Sequence, residues 1–232
     1  MTNDISTLKS FYRALKRHNE NLIKVIYGTM EGKTSLSFDD IETVKNLLIY
    51  GTTGSGKTMF LNVFIEGTSY INTEKDVRLV LVDSKKVGFC KYKDNKLLLR
   101  PIIQDRNEFM NIINELLLEC DKRKENNIKT PRIIVVVDEY VDIASEETNN
   151  ALAKLLEVGY KYGIYVLLST QRITSAIASI DFFKKFNIVI CQKNYDEKET
   201  KELIGEYREL NGRGDSIMLR NGRLFRFIGF GI

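Results

Sequence analysis

Histidine is almost missing from the 232 residues, with His18 the one example. That removes histidine metal clusters and Ser-His-Asp triads, and it leaves no Cys-His pair outside the N-terminal stretch. Any hydrolysis here must use carboxylates, lysine and a metal ion. Proline is confined to Pro101 and Pro131, and no Gly/Ser-rich or low-complexity segment divides the chain, so a single globular domain is the default. The three cysteines, Cys90, Cys120 and Cys191, are widely spaced without a C-x-x-C pair, which argues against a disulfide framework or a zinc site and predicts buried thiols in a reducing compartment. The longest aliphatic run, Ile133 to Val137, is far below the roughly 20 residues of a membrane span. Residues near the start (Asp4, Lys9, Arg13, Lys16) lack the apolar core of a signal peptide. A cytoplasmic protein without a membrane segment is expected. The net charge of +4 and pI of about 8.8 suit a polyanionic partner without requiring one.

What is present falls into two parts. In residues 1–24, Ile5, Leu8, Phe11, Tyr12 and Leu15 share one helical face, which predicts an N-terminal helical arm ahead of a domain over residues 25–232. From Leu47 onward, short uniformly apolar runs alternate with helical stretches: 47–50, 79–82, 133–137, 164–168 and 188–190. Runs apolar at every position suit parallel strands covered on both faces. Between them, Phe109, Ile112, Ile113, Leu116, Leu117 and Cys120 recur at helical spacing, as do Leu152, Leu155 and Leu156. Near the end, Asn221-Gly222 separates two short strands and signals a tight hairpin. The expected fold is α/β, three layers around a mainly parallel sheet with a C-terminal β-hairpin.

Gly51-Thr52-Thr53-Gly54-Ser55-Gly56-Lys57-Thr58 fits G-x-x-x-x-G-K-[ST] and sits between an apolar strand and an apolar helix, as a P-loop requires. Glycines let the loop aim its N–H groups at phosphates, and the helix N-terminus adds a favourable dipole. The nucleotide site is therefore expected to comprise Gly51, Thr53, Gly54, Ser55, Gly56, Lys57, Thr58 and Met59, with Lys57 on the β/γ-phosphates and Thr58 on Mg²⁺. Asp138-Glu139 closes the most apolar run, where open α/β sheets bind ligands. Asp138 would support Mg²⁺ through its water shell, and Glu139 would polarise the attacking water. Gln171 and Arg172 follow the run at 164–168; an amide there lies beside the γ-phosphate if that strand neighbours the one ending at Asp138. ATP and Mg²⁺ are the expected cofactors.

The segments NLLIYGTTGSGKT at 46–58, LVDSK at 81–85, VVVDEYVDIA at 135–144, YGIYVLLSTQR at 162–172, KKFNIVICQK at 184–193 and GRGDSIMLRNGR at 212–223 together resemble FtsK/SpoIIIE motor domains, in order and spacing. The resemblance covers about residues 25–230. It implies a RecA-like core, a homo-hexameric ring and ATP-driven movement of double-stranded DNA through the ring's channel. A family member of this length is expected to be a stripped motor, without the extra N-terminal domain, membrane anchor and winged-helix DNA reader of larger members. Ser84 stands where the family has proline. The stretch at 159–163, where the family's arginine finger usually lies, holds Lys161 and no arginine; Lys161 and Arg172 are the two candidates for cross-subunit activation.

The leading expectation is a DNA-moving ATPase of a virus or mobile element, used in genome packaging or plasmid transfer, with a capsid portal or transfer complex as docking partner. A protein-translocating or assembly ATPase is the second reading and a regulatory nucleotide switch the third. The basic stretch 122–132 and Lys184-Lys185 read as solvated surface or DNA-phosphate contacts.

Overall fold

The computed structural model describes residues 10–14, 23–194 and 196–230. Of the arm predicted over residues 1–24, only Phe11 and Tyr12 of the apolar face are described, in a helical stretch at 10–14; Ile5, Leu8 and Leu15 lie outside the described residues.

Among the described residues nine strands form one sheet: β1 (Lys24–Met30), β2 (Leu36–Asp40), β3 (Leu47–Tyr50), β4 (Val77–Asp83), β5 (Arg132–Asp138), β6 (Ile164–Thr170), β7 (Ile188–Gln192), β8 (Asp215–Arg220) and β9 (Arg223–Ile228). Their order is β2-β1-β9-β8-β7-β3-β6-β5-β4. The pairings from β7 to β4 are parallel. Those from β2 to β7 are antiparallel, through β1, β9 and β8.

The mainly parallel RecA-like sheet expected from the sequence is therefore corrected. Antiparallel pairing runs through the whole β2-to-β7 side, and β1 and β2 were not anticipated at all. The reason is physical. Uniform apolar runs mark only strands buried on both faces, as β3, β6 and β7 are along their full length. By contrast, β9 alternates exposed and covered positions and β2 has no buried residue, so this side announces itself weakly. In the hairpin, Asn221 and Gly222 both take positive φ (49° and 72°), the geometry a two-residue turn needs to match strand twist.

Helices cover both faces of the parallel block. Leu79 and Leu81 of β4, with Ile134 and Val136 of β5, pack with Phe60, Leu61 and Phe64 of α1 (Lys57–Ile71). Val80, Val82, Val135 and Val137 pack on the other face with Phe109, Ile112 and Leu116 of α2 (Arg106–Asn126) and Leu152 and Leu155 of α3 (Glu146–Val158). Local signals start and stop these helices. Asp105 accepts from the N–H groups of Asn107 and Glu108, and Asn127 closes α2 in the left-handed conformation (φ 52°); Ser145 and Thr148 form a capping box on α3. Because α2 continues through Asn126, much of the basic stretch is helical. Arg123 is buried there, donating to Glu119 and to the carbonyls of Tyr162 and Pro131. Cys120 and Cys191 are buried as expected, whereas Cys90 is exposed.

One buried amide fixes the base of the P-loop strand. Asn46 accepts from the Val166 N–H (3.1 Å) and donates to the Leu156 carbonyl (2.8 Å), while its own carbonyl accepts from the Ile188 N–H (3.2 Å). Asn46→Ala strands the Val166 N–H inside the sheet, a loss of about 1–3 kcal/mol. Urea denaturation should show a lower midpoint with an unchanged slope; an unchanged midpoint would contradict this role.

Candidate functional site

The site forms where β3, β5 and β6 end side by side. The turn from β3 into α1 needs Gly54 and Gly56 at positive φ (77° and 116°), which L side chains resist. Lys57, the first residue of α1, is only 6% exposed. Its ammonium donates to the carbonyls of Gly51 (2.7 Å) and Thr52 (3.0 Å), curling back over the loop. Burial holds its pKa below the ordinary lysine value, against the opposing pull of Glu139 and Asp138 and with further lowering by Lys85.

Thr58 Oγ1 donates to Asp138 (2.9 Å to Oδ2, 3.2 Å to Oδ1), joining the end of β5 to the P-loop. Ser169 of β6 donates to Asp138 Oδ1 at 2.8 Å and accepts from the Glu139 N–H at 3.1 Å. Glu139, 3% exposed and left-handed (φ 64°), accepts from the Gln171 N–H at 3.0 Å. Burial pushes its carboxyl above the usual range, opposed by the Gln171 N–H and by Lys57 and Lys85. The Gln171 side chain accepts from Thr53 Oγ1 at 2.8 Å. Since β6 lies beside β5, the condition under which Gln171 flanks the phosphate site is met.

Lys57, Thr58, Asp138, Glu139 and Gln171 line one cavity of about 290 Å³, together with Met59, Asp83, Lys85, Val87 and Gly88. Two lysines stand in it against three carboxylates. Such a lining repels a free triphosphate and suits one that enters with a divalent cation. Among the described residues no group of three or more His, Cys, Asp or Glu side chains could hold a metal alone. The Thr58 hydroxyl and the Asp138 carboxylate, 2.9 Å apart, are hard oxygen donors of the kind that suit Mg²⁺.

Of the predicted site residues, Gly51, Ser55 and Arg172 do not line this cavity, and neither does Lys161. Arg172 is exposed, and its side chain makes no ion pair among the described residues. Lys161 lies before β6, over the Tyr160 ring, roughly 20 Å of strand away from the cavity. Conversely, sequence reasoning missed Gln192. This buried residue at the end of β7 accepts from Ser55 Oγ at 3.1 Å, and its neighbour Lys193 accepts from the Thr52 N–H at 2.9 Å, so β7 props the P-loop from beneath. The polar end of the run at 188–190 was visible, but the adjacency of β7 to β3 was not.

The FtsK/SpoIIIE family model matches residues 8–129. The DNA translocase FtsK of Campylobacter jejuni is 28% identical over 210 residues, covering 79% of this chain and 22% of the relative. The chain thus spans under a quarter of that relative's length. Among solved structures, the pCW3 conjugation coupling protein TcpA superposes with TM-score 0.77 at 19% identity, over 91% of this chain and 67% of that one. The type VII secretion ATPase EccC of Thermomonospora curvata gives TM-score 0.76 at 18% identity, over 91% and 29%. At these identities the structural likeness concerns the fold alone.

Proposed function

From the premise that the chain belongs to the FtsK/SpoIIIE family of P-loop ATPases, we propose that it is an ATP-driven motor moving double-stranded DNA through a homo-hexameric ring. The observation that carries the chemistry is the direct contact of Thr58 with Asp138, with Glu139 and Gln171 joined immediately behind it. Lys57 leaves the Gly51 and Thr52 carbonyls for the β/γ-phosphates, guided by the N–H groups of the loop. Thr58 and Asp138 would hold Mg²⁺, which would neutralise phosphate charge. Glu139 accepts the proton of the attacking water. Gln171, tied to Thr53 and by its N–H to Glu139, reports the state of the terminal phosphate to β6.

Cross-subunit activation falls to Lys161 or Arg172. Lys161 is too far from the cavity of its own subunit and can serve only a neighbour's. Arg172, exposed at the cavity end of β6, has the planar fork suited to phosphate. DNA is held through its phosphates, by exposed lysines such as Lys122, Lys124 and Lys184. Among the described residues no helix is long and apolar enough to cross a membrane. The setting we favour is packaging or transfer of a viral or mobile-element genome, docked on a portal or transfer complex. The relative named as a DNA translocase supports movement of DNA, and the conjugation coupling protein of similar fold supports the transfer setting. The fold likeness to a secretion ATPase supports a second reading, in which the polymer is a polypeptide.

The ATPase rate with double-stranded DNA, single-stranded DNA, RNA or an unfolded polypeptide tests this. Double-stranded DNA should raise the rate several-fold and the others should not. Stimulation by polypeptide alone would move the reading to protein transport. A slow rate indifferent to every polymer would leave a nucleotide switch.

A further inference from the structure

The cavity holds a second lysine that the roles above do not use. Lys85 lies in the loop after β4, and its ammonium stands 3.8 Å from Glu139 Oε2 and 3.8 Å from Asp142 Oδ2. Both separations exceed a hydrogen bond, and the side chain is 52% exposed, so these pairings are weak. The ammonium makes no hydrogen bond among the described residues, which leaves its three donors available.

The backbone carrying it is held firmly. Asp83, buried at the end of β4, accepts from the Phe89 N–H at 2.9 Å, closing the loop on itself. Ser84 donates to Asp142 Oδ2 at 2.9 Å. Gly88 lies so close to the metal side of the site that a Cβ there would fall 2.6 Å from Asp138 Oδ2. The loop is thus pinned on both sides of Lys85 while the ammonium is held by little. A flexible stem on a fixed base, aimed into a cavity shared with Lys57, is the arrangement of a ligand-seeking cation.

Building on the nucleotide-site reading above, we propose that Lys85 is a second phosphate-binding residue, selective for the terminal phosphate, which leaves Glu139 when a triphosphate occupies the cavity. Position separates its role from that of Lys57. Lys57 is buried against the P-loop and serves the phosphates that the loop cradles. Lys85 stands beside Glu139, where the attacked phosphorus must lie if Glu139 orients the water. ADP has no phosphate there, so Lys85 stays with Glu139 and Asp142. ATP draws it away, removing a cation from the carboxylate that must accept a proton. Lys85 is then both a determinant of ATP over ADP and a positioning residue for Glu139.

The test measures the affinities of a non-hydrolysable ATP analogue and of ADP, each with Mg²⁺, for the wild-type chain, Lys85→Met and Lys85→Arg. Loss of a charge-assisted hydrogen bond predicts that Lys85→Met weakens the analogue about tenfold or more while shifting ADP less than about twofold. Lys85→Arg should restore most of the preference. Equal weakening of both nucleotides, or an unchanged ratio, overturns the proposal while leaving the nucleotide site intact. Failure of the wild-type chain to bind either nucleotide overturns both. A merely structural role predicts a lower melting temperature for Lys85→Met with no change in selectivity.

Discussion

Replacing Lys57 by alanine is expected to abolish measurable ATP turnover, a fall of at least about a hundred- to a thousandfold by analogy with removal of a single preorganised charge-stabilising donor. Lys57 is the one side-chain cation buried within the P-loop, and it bonds to two loop carbonyls, Gly51 and Thr52, with no carboxylate in bonding distance among the described residues. A buried ammonium satisfied only by carbonyls contributes little to folding, because its desolvation offsets those bonds. The variant should therefore melt close to the wild-type temperature in the absence of nucleotide. What it should lose is the stabilisation that nucleotide confers, worth about 2.7 kcal/mol when ligand is a hundredfold above its dissociation constant. Thermal melts with and without Mg²⁺ and an ATP analogue read both effects. Wild-type turnover in Lys57→Ala would remove the nucleotide site from this position.

Glu139→Gln should give the next largest effect and a different pattern. General-base catalysis contributes about a hundred- to ten-thousandfold, and an amide cannot accept the proton of water. The amide oxygen can still accept from the Gln171 N–H, so the local geometry should hold and binding of the ATP analogue should survive. Asp138 is tied differently: Thr58 and Ser169 both donate to it. Asp138→Ala leaves those two hydroxyls without their acceptor and removes the proposed support for Mg²⁺. It should raise the Mg²⁺ concentration needed and weaken analogue binding along with turnover. Single-turnover rates beside analogue affinities separate the cases. If the two variants lose binding and turnover in the same proportion, the distinct roles given to Asp138 and Glu139 do not stand.

The two substitutions also bear on how the site is coupled to the rest of the sheet. Ser169 touches Asp138 and the Glu139 N–H together, and Gln171 touches Glu139 and Thr53 together. The end of β6 therefore contacts both carboxylates and the P-loop. In the proposed mechanism a change at the terminal phosphate would reach β6 through Gln171, and beyond it Arg172 at the surface.

Much of this is legible in the sequence, because its causes are local. The P-loop could be read from glycine spacing, the Asp138-Glu139 carboxylates from an acidic pair ending an apolar run, and α2 and α3 from periodic leucines and isoleucines between capping residues. Each such signal needs only neighbours in sequence and the average difference between water and a protein interior. The tertiary structure alone decided which strands lie side by side. It brought Gln192 under the P-loop from 137 residues away, set Lys85 beside Glu139, buried Arg123 within a stretch that reads as solvated, and left Arg172 outside the cavity. It also made half the strand pairings antiparallel by setting β1 and β2 beside the C-terminal hairpin; β2 has no buried residue, and Gly28 and Thr29 interrupt the apolar run of β1. The physical reason is the same throughout. Hydropathy patterns record how deeply a segment is buried, whereas the identity of its neighbour depends on the joint packing of all the segments, which no single stretch of sequence contains.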